Sequence, residues 1–198
     1  MTERTAPPGK VRIIGGHWRR RWLAVPSGTT VRPTPDRVRE TLFNWLAPHL
    51  AGARCLDLFA GSGVLGFEAV SRGAAHATLV DSDPALVTQL KTNVALLAAT
   101  ESVSVSGRDA LNFLTTTAPL PHHVIFLDPP FDSALVPRVL ALLTPAWLAQ
   151  QALVYVETSR TGPPVTLPEG WRMMRAGETR QTRYCLVQAA DQRFAAIR

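Results

Sequence analysis

A short apolar segment that runs into a glycine-rich turn constrains the fold of this chain more than any other feature. Residues 56–66 read LDLFAGSGVLG, and an apolar helical pattern begins directly after the second glycine. Such a segment is typical of a strand whose glycine turn opens a helix, where the backbone lies close to a bound ligand. The turn alone also fits a dinucleotide-binding fold or a simple tight connection, so neighbouring residues have to separate these alternatives.

Strand and helix patterns alternate along the chain from residue 54 onward. This alternation predicts a parallel sheet covered by helices on both faces, with the continuous apolar run at 124–127 near its middle. Two later β patterns, near 171–175 and 183–188, predict a terminal hairpin. The expected strands lie near 54–58, 77–81, 103–105, 123–127 and 152–157, and the expected helices near 64–72, 84–98, 109–115 and 134–143.

An acid at the end of the first strand favours a cationic cofactor over a dinucleotide. Asp57 lies four residues before Gly61, where its carboxylate would repel a pyrophosphate and attract the ammonium of a bound amino acid. Because S-adenosylmethionine carries both an ammonium and a sulfonium, we predict this compound as the cofactor. A helix N-cap or a solvated turn acid is the alternative role for Asp57.

Further acids follow the later strands. Asp81 lies 18 residues after Gly63, close to the spacing at which such folds place an acid on ribose hydroxyls. Asp109 follows the third strand and is predicted either to accept from the adenine amino group or to cap a helix, whereas Asp83 is predicted as a cap. The predicted cofactor residues are Asp57, Phe59, Gly61, Gly63, Asp81 and Asp109.

A second motif, DPPF at residues 128–131, carries the predicted chemistry. An exocyclic amine on a nucleobase is a weak nucleophile, so a catalyst must stabilise the positive charge that develops there as a methyl group arrives. We predict that the Asp128 carboxylate and the Pro129 carbonyl accept one N–H each, since Pro130 has no N–H to compete. The Phe131 ring is predicted to stack on a base that has left its helix. A strand-ending loop stiffened by two prolines is the alternative, and it leaves the acid and the ring unexplained.

The first forty residues carry the whole net charge of the chain. They contain nine Lys and Arg against three acids, whereas residues 41–198 contain twelve of each, so the net +6 lies in this segment. A basic segment beside a neutral body favours a polyanionic substrate, and a solubilising charge run is the alternative. Trp18 and Trp22 flank three of the arginines and are predicted to offer stacking surfaces. The predicted RNA contacts are Arg19, Arg20, Arg21, Arg32, Arg37 and Arg39.

Local patterns also predict how this basic segment folds. Glycine turn signals predict a small β-hairpin over residues 11–31. Apolar residues at helical spacing predict a helix over residues 35–46, with Thr34 or Asp36 at its cap.

Composition disfavours several other classes of protein. Cys55 and Cys185 lack CxxC spacing and the five histidines show no ligand spacing, so we expect neither a metal site nor a disulfide. No apolar run approaches the length of a membrane span, and the N-terminus lacks the apolar region of a signal peptide. We therefore expect a cytoplasmic protein without a membrane partner. A monomer is a separate expectation.

Several of these segments together resemble one known family. The chain from Val11 to Gln188 resembles the RsmD family of bacterial small-subunit rRNA guanine-N2 methyltransferases. The most specific of the matching segments is RPTPDRVRE at residues 32–40, because the glycine turn and the DPPF motif occur in many methyltransferases. The matching segments are 32–46, 56–66, 71–74, 128–131 and 154–157.

The resemblance implies a fold, a reaction and a partner. The implied fold is an α/β, Rossmann-like class I S-adenosylmethionine-dependent methyltransferase, with a seven-stranded, mostly parallel sheet whose last strand is antiparallel, plus the small N-terminal hairpin. The implied reaction is methyl transfer to the exocyclic N2 amine of the guanosine conventionally numbered 966 in 16S rRNA. The implied partner is 16S rRNA or the assembling small ribosomal subunit.

The resemblance also places residues 34–39 over the cofactor and the target base, and the local patterns along the chain predict how it is divided. We expect a disordered tail over residues 1–10, a basic hairpin over 11–31 and a methyltransferase domain over 32–198. An adenine-N6 or protein-amide methyltransferase remains the alternative, because its amine would need the same hydrogen-bond acceptors. These acceptors lie in the DPPF segment at residues 128–131, which we call the acceptor loop. A nicotinamide oxidoreductase or an inactive RNA-binding module would explain the glycine turn or the basic segment, but not the DPPF loop.

Overall fold

A computed structural model describes residues 9–27, 34–130 and 134–190 of the 198-residue chain. Arg32 and Phe131, two of the predicted site residues, lie outside these ranges, as does most of the predicted tail. None of the helices within the ranges combines the length and the apolar character needed to span a bilayer.

A small antiparallel hairpin precedes the main sheet, as predicted. It pairs β1 (Lys10–Arg12) with β2 (Trp22–Ala24), and Val11 lies opposite Leu23. Both of these side chains are buried in the apolar cluster that also contains residues of the following helices. The hairpin therefore packs on the body of the protein. Helix α1 (Asp36–Leu46) comes next and is followed by a short 3-10 turn, Ala47–His49.

The remaining strands form one seven-stranded sheet. Its order is β5-β4-β3-β6-β7-β9-β8, and all of its strands are parallel except β9, which is antiparallel to both of its neighbours. The predicted fold class, including the antiparallel last strand, is confirmed. The elements are β3 (Arg54–Asp57), α2 (Val64–Ser71), β4 (His76–Asp81), α3 (Pro84–Leu96), β5 (Val103–Gly107), α4 (Ala110–Thr116), β6 (His122–Leu127), α5 (Leu135–Leu142), β7 (Leu148–Ser159), β8 (Arg172–Glu178) and β9 (Thr182–Gln188).

Each face of the sheet carries its own apolar cluster, because successive strand side chains point to opposite faces. On one face, Cys55 and Phe126 pack with side chains of the hairpin, α1, α2 and α3. On the other face, Leu56 and Ile125 pack with side chains of α4 and α5. Gly66 lets α2 lie close to the sheet, since a Cβ at this position would collide with the Leu79 side chain.

The strand order fixes where a ligand can bind. After β3 the chain builds β4 and β5 on one side, and it then crosses to β6 on the other side of β3. In open α/β sheets, ligands bind in the crevice beyond the carboxyl ends of the two strands where the order reverses. The carboxyl ends of β3 and β6 are those two ends, and the predicted cofactor turn and acceptor loop follow them directly.

Candidate active site

Three carboxyl groups meet at the carboxyl ends of β3, β6 and β7. Asp57 is the last residue of β3, Asp128 directly follows β6, and Glu157 lies one residue beyond the pairing of Leu127 with Val156. Asp57 and Glu157 are 2% and 3% exposed, and Asp128 is half-buried. We call these three residues the carboxylate cluster.

The carboxylate cluster contains little internal compensation for its negative charge. Burial raises the pKa of Asp57 to about 7, against the opposing effect of backbone N–H groups of Phe59 and Gly66. Burial also raises the pKa of Asp128, and the neighbouring carboxyl groups of Glu157 and Asp57 raise it further. Among the described residues, the charged groups that shift the pKa values of the cluster are all acids. The cluster therefore favours a cationic ligand.

One oxygen of the cluster has no protein partner among the described residues. The Oδ1 atom of Asp57 is buried and accepts no hydrogen bond there. A buried acceptor without a donor costs about 1–3 kcal/mol, so a ligand donor at this position would be favoured. An ammonium group supplies such donors together with the opposite charge.

The glycine turn between β3 and α2 adopts the backbone conformation that its sequence predicts. Gly61 and Gly63 have φ values of 53° and 76°, a left-handed region that favours glycine. Gly63 also has no room for a side chain, because a Cβ there would meet Phe67 and Leu90. The Gly61 N–H donates to Oδ2 of Asp81 at 2.8 Å, which ties the turn to the end of β4.

The other predicted cofactor residues lie at the same edge of the sheet in different roles. Asp81 uses its second oxygen to accept from the Asp83 N–H at 2.9 Å. Asp109 is exposed and caps α4, because its Oδ1 atom accepts from the backbone of Leu111 and Asn112 at 2.9 and 3.1 Å. The capping role of Asp109 is therefore present, and its contact with adenine stays a prediction. Phe59 is partly buried against the α4–α5 face.

Asp83, two residues after Asp81, is a helix cap, as predicted. Its side chain accepts from the backbone N–H groups of Ala85 and Leu86 at the start of α3.

In the acceptor loop, Pro129 is buried and Pro130 is exposed.

Thr34, two residues before α1, contacts the carboxylate cluster through a hydrogen bond that no local sequence pattern indicated. Thr34 and Asp36 were predicted as alternative caps of α1, but Pro35 occupies the N-cap position and no side chain among the described residues caps the helix. The Thr34 hydroxyl instead donates to Oδ2 of Asp128 at 3.5 Å. This contact opposes the rise in the pKa of Asp128.

The prediction that Arg39 contacts RNA is wrong. Its side chain is 0% exposed, so it has no free face for a phosphate. Its guanidinium donates to Oε2 of Glu68 at 3.0 Å, to the Thr34 carbonyl at 3.1 Å and to the Arg12 carbonyl at 2.9 Å, and it also pairs with Asp36. The available signal was helical spacing, because position 39 lies on the same face of α1 as the apolar positions 42, 43 and 46.

The other described arginines on the predicted RNA surface are exposed. Arg19, Arg20 and Arg21 at the hairpin and Arg37 on α1 all reach solvent. Trp22 is 38% exposed, with the Arg12 guanidinium 5.9 Å from its ring centroid.

The prediction that Trp18 offers a stacking surface is wrong. Trp18 is 9% exposed and packs edge-on against Phe67 of α2, at 6.4 Å between ring centroids. Its ring therefore belongs to the core and leaves no open face for a base.

Sequence reasoning also missed Glu157 as a site residue. Its Oε2 atom accepts from the Tyr155 hydroxyl at 2.7 Å, and Thr182 of β9 hydrogen-bonds to it as well. The available signal was its position, since an acid at the end of the strand next to β6 lies beside Asp128.

Within the described ranges, no group of three or more His, Cys, Asp or Glu side chains is arranged to hold a metal ion.

Comparison with known proteins identifies relatives along nearly the whole chain. The family model described as "Conserved hypothetical protein 95" matches residues 11–188. The Escherichia coli K12 protein named ribosomal RNA small subunit methyltransferase D is 47% identical over 185 residues, which cover 93% of this chain and 92% of the relative.

Solved structures agree with the sequence matches. The structure of the Escherichia coli protein yhhF is 48% identical, has a TM-score of 0.85, and covers 93% of this chain and 100% of that one. An RNA methyltransferase from Salinibacter ruber, solved with S-adenosyl-L-homocysteine, is 17% identical, has a TM-score of 0.62, and covers 81% of this chain and 95% of that one, which shows a common fold. The extent of these matches, together with the strand order and the carboxylate cluster, shows that the chain belongs to the RsmD family of ribosomal RNA small subunit methyltransferases.

Proposed function

We propose that this protein transfers a methyl group from S-adenosylmethionine to the exocyclic N2 amine of a guanosine in small-subunit rRNA. The observation that carries the proposal is the position of Asp128, directly after β6 and beside the carboxyl end of β3, where the glycine turn begins. An acceptor loop for an amine and a turn suited to a cofactor therefore share one crevice. The name of the Escherichia coli relative supports the choice of small-subunit rRNA.

The residues at the end of β3 fit the proposed cofactor. The Oδ1 atom of Asp57, which accepts no hydrogen bond from the part of the chain that the structure describes, suits an ammonium. The left-handed glycines bring the backbone of the turn close to the crevice. Asp81 is the residue proposed for the ribose hydroxyls and Asp109 the one proposed for the adenine amino group. When bound, S-adenosylmethionine supplies a methyl group on a positively charged sulfur.

The acceptor loop acts on the substrate amine. We propose that the Asp128 carboxylate and the Pro129 carbonyl each accept one N–H of the amine. Both acceptors interact more strongly as positive charge develops on the nitrogen, which is the condition for lowering the barrier. The neighbouring carboxyl group of Glu157 raises the pKa of Asp128 and therefore opposes the ionisation of this acceptor.

The exposed arginines of the hairpin are proposed to hold the RNA. Arg19, Arg20, Arg21 and Arg37 reach solvent, whereas the acids of the carboxylate cluster are buried or half-buried. Contacts between arginines and phosphates give affinity without reading sequence, so the choice of guanosine must come from the pocket around Asp128. The protein then captures RNA on one surface and methylates it at another.

The decisive experiment is mass spectrometry of 16S rRNA from a deletion strain, with the gene restored either as wild type or as Asp128→Ala. We expect one N2-methylguanosine to disappear on deletion, to return with the wild-type gene and to stay absent with the variant. Loss of an N6-methyladenosine instead would favour the adenine alternative. Unchanged rRNA modification in the deletion strain would contradict the proposal.

A further inference from the structure

We infer that Thr34 is a positioning residue for the proposed methyl transfer, whose hydroxyl orients the Asp128 carboxylate while the buried guanidinium of Arg39 holds Thr34 in place. The inference rests on the proposed function and adds to it a residue outside the glycine turn and the acceptor loop.

The Thr34 side chain is committed to Asp128. It is 6% exposed, and its Oγ1 atom donates to Oδ2 of Asp128 at 3.5 Å. Catalytic hydrogen bonds are often long in ligand-free proteins and tighten when substrate is bound. A threonine before a helix commonly caps it, yet within the described ranges no side chain caps α1, so this hydroxyl remains available for Asp128.

Arg39 fixes the backbone of Thr34 relative to the cofactor turn. The Nε atom of Arg39 donates to the Thr34 carbonyl at 3.1 Å, and one terminal nitrogen donates to Glu68 at 3.0 Å. The side chains of Arg39 and Glu68 are both 0% exposed. Because Glu68 lies in α2, the helix that begins directly after Gly63, the salt bridge links Thr34 to the same helix that follows the glycine turn. A planar guanidinium with several partners holds such a geometry more rigidly than a single contact would.

The contact divides the two oxygens of Asp128 between two roles. A carboxylate can rotate about its Cβ–Cγ bond, and a donor on Oδ2 restricts that rotation. Oδ1 is then left to accept an N–H of the substrate amine. Misplacing a catalytic group by about 1 Å can lower a rate by about 10²-fold, so orientation alone makes Thr34 significant for turnover.

The contact also favours the charged form of Asp128. The groups that face this carboxylate are Asp57 from β3, Glu157 and Tyr155 from β7, and Thr34. Burial and the two acids raise the pKa of Asp128, whereas the Thr34 hydrogen bond lowers it. Since the ionised carboxylate is the acceptor, activity falls as the pH drops through this pKa, and loss of the Thr34 hydroxyl moves that fall to higher pH.

The test compares pH profiles of kcat for three variants of the full-length protein with S-adenosylmethionine and 16S rRNA at saturation. Thr34→Val removes the hydroxyl and keeps the shape, and Thr34→Ser keeps the hydroxyl. Glu157→Gln removes a neighbouring carboxyl group that raises the pKa of Asp128. We expect this variant to move the fall of kcat at acidic pH, the acid limb of the profile, to lower pH. Calorimetric affinity for S-adenosylmethionine and the melting temperature are measured for each variant.

For Thr34→Val we expect an approximately tenfold lower plateau of kcat and an acid limb that moves up by about one pH unit, since a hydrogen bond to an ionised group has about this effect on a pKa. Affinity for S-adenosylmethionine should not change, and Thr34→Ser should restore both the plateau and the limb. This rescue separates the hydroxyl from the packing of the methyl group.

Two results would overturn the inference about Thr34. One is a wild-type pH profile in Thr34→Val, whatever Glu157→Gln does. The other is equal loss in Thr34→Ser and Thr34→Val, which would assign the effect to packing. If the wild-type protein transfers no methyl group to RNA, the proposed function itself fails and this inference fails with it. Wild-type transfer with an unaltered Thr34→Val profile refutes the Thr34 role alone.

Discussion

The carboxylate cluster and the arginines of the hairpin carry opposite charges in opposite environments. Asp57 and Glu157 are 2% and 3% exposed, whereas Arg19, Arg20 and Arg21 reach solvent. Interactions between buried charges are strong and weakly screened, while those of exposed charges weaken steeply with salt. In the proposed function, this contrast assigns the chemistry to the carboxylate cluster and the capture of RNA to the exposed arginines.

Arg39 is part of the basic segment by sequence, but its side chain is buried like those of the carboxylate cluster. By sequence it belongs to the basic segment, two residues after the exposed Arg37, yet its side chain is completely buried against Glu68. A charge count treats Arg37 and Arg39 alike. Only the position of each on α1 separates a residue that is available to RNA from one that holds the fold together.

The largest expected effect follows from breaking this buried pair. Arg39→Ala removes one of two arginines that pair with the buried Glu68 and leaves Arg72, at 2.7 Å, as the other. Removing one partner of a buried ion pair costs about 3–5 kcal/mol of unfolding free energy, and because Arg72 still compensates part of the charge we expect a loss at the lower end of this range. Arg37→Ala, on the exposed face of the same helix, is the matched control and should change stability by less than about 0.5 kcal/mol. Urea denaturation measures both. Equal stabilities for the two variants would contradict a structural role for Arg39.

The next largest effect concerns the acceptor loop. Asp128→Ala removes a charge placed where positive charge develops, so kcat should fall by about 10²–10³-fold. Affinity for S-adenosylmethionine should stay close to that of the wild type, because Asp128 acts on the amine. Single-turnover kinetics and calorimetry measure the two effects separately. Turnover near that of the wild type would refute the role assigned to this carboxylate.

A smaller effect is expected for Asp57, the residue proposed to bind the ammonium group of S-adenosylmethionine. Asp57→Asn keeps the shape and removes the charge, and loss of a charge-assisted hydrogen bond of about 1.5–3 kcal/mol should weaken S-adenosylmethionine binding by about 10- to 150-fold. Burial raises the pKa of Asp57 to about 7, so wild-type affinity should rise as the pH increases through that value. Calorimetry at pH values on either side of 7 tests this dependence. The same dependence in Asp57→Asn would show that another group is responsible.

The sheet and the acids at its strand ends were accessible to sequence reasoning for a physical reason. Strand and helix periodicity are local, and parallel strands must end at one edge, so Asp57, Asp81 and Asp128 could be placed together without a structure. Glu157 satisfies the same rule, because β7 lies next to β6 in the sheet. It was missed because neither a turn nor a proline motif marks its position.

The partners of Thr34 and Arg39 were not accessible from local sequence patterns. Helical spacing indicates that Arg39 faces the core, but its partner Glu68 lies 29 positions further along the chain, and Thr34 meets Asp128 across 94 positions. No local pattern encodes such pairs, and a threonine before a helix is expected to cap it. Trp18 presents the same difficulty, since its partner Phe67 belongs to α2. Residues between arginines can belong to the core when the hairpin that carries them packs on the sheet domain.

The smallest expected effect, and the one that tests the exposed side of the comparison, concerns the hairpin arginines. Replacing Arg19, Arg20 and Arg21 together with Ala should raise KM for the RNA and leave S-adenosylmethionine affinity unchanged. Each phosphate contact contributes a little less than one unit to the slope of log affinity against log salt, so the slope should become shallower by about 2–3 units if all three make contact. Filter binding across a salt series measures this slope.

The control for this variant removes the same charge elsewhere. Arg138, Arg172 and Arg175 are exposed on α5 and β8, and their joint replacement with Ala lowers the net charge equally. If the hairpin arginines contact phosphates, only the hairpin variant changes the salt slope, because counterion release depends on contact and not on total charge. Equal slopes in both variants and the wild type would reduce the hairpin arginines to a solubilising charge. The RNA surface would then have to lie around Arg37, Arg180 and Arg183, which reach solvent elsewhere on the molecule.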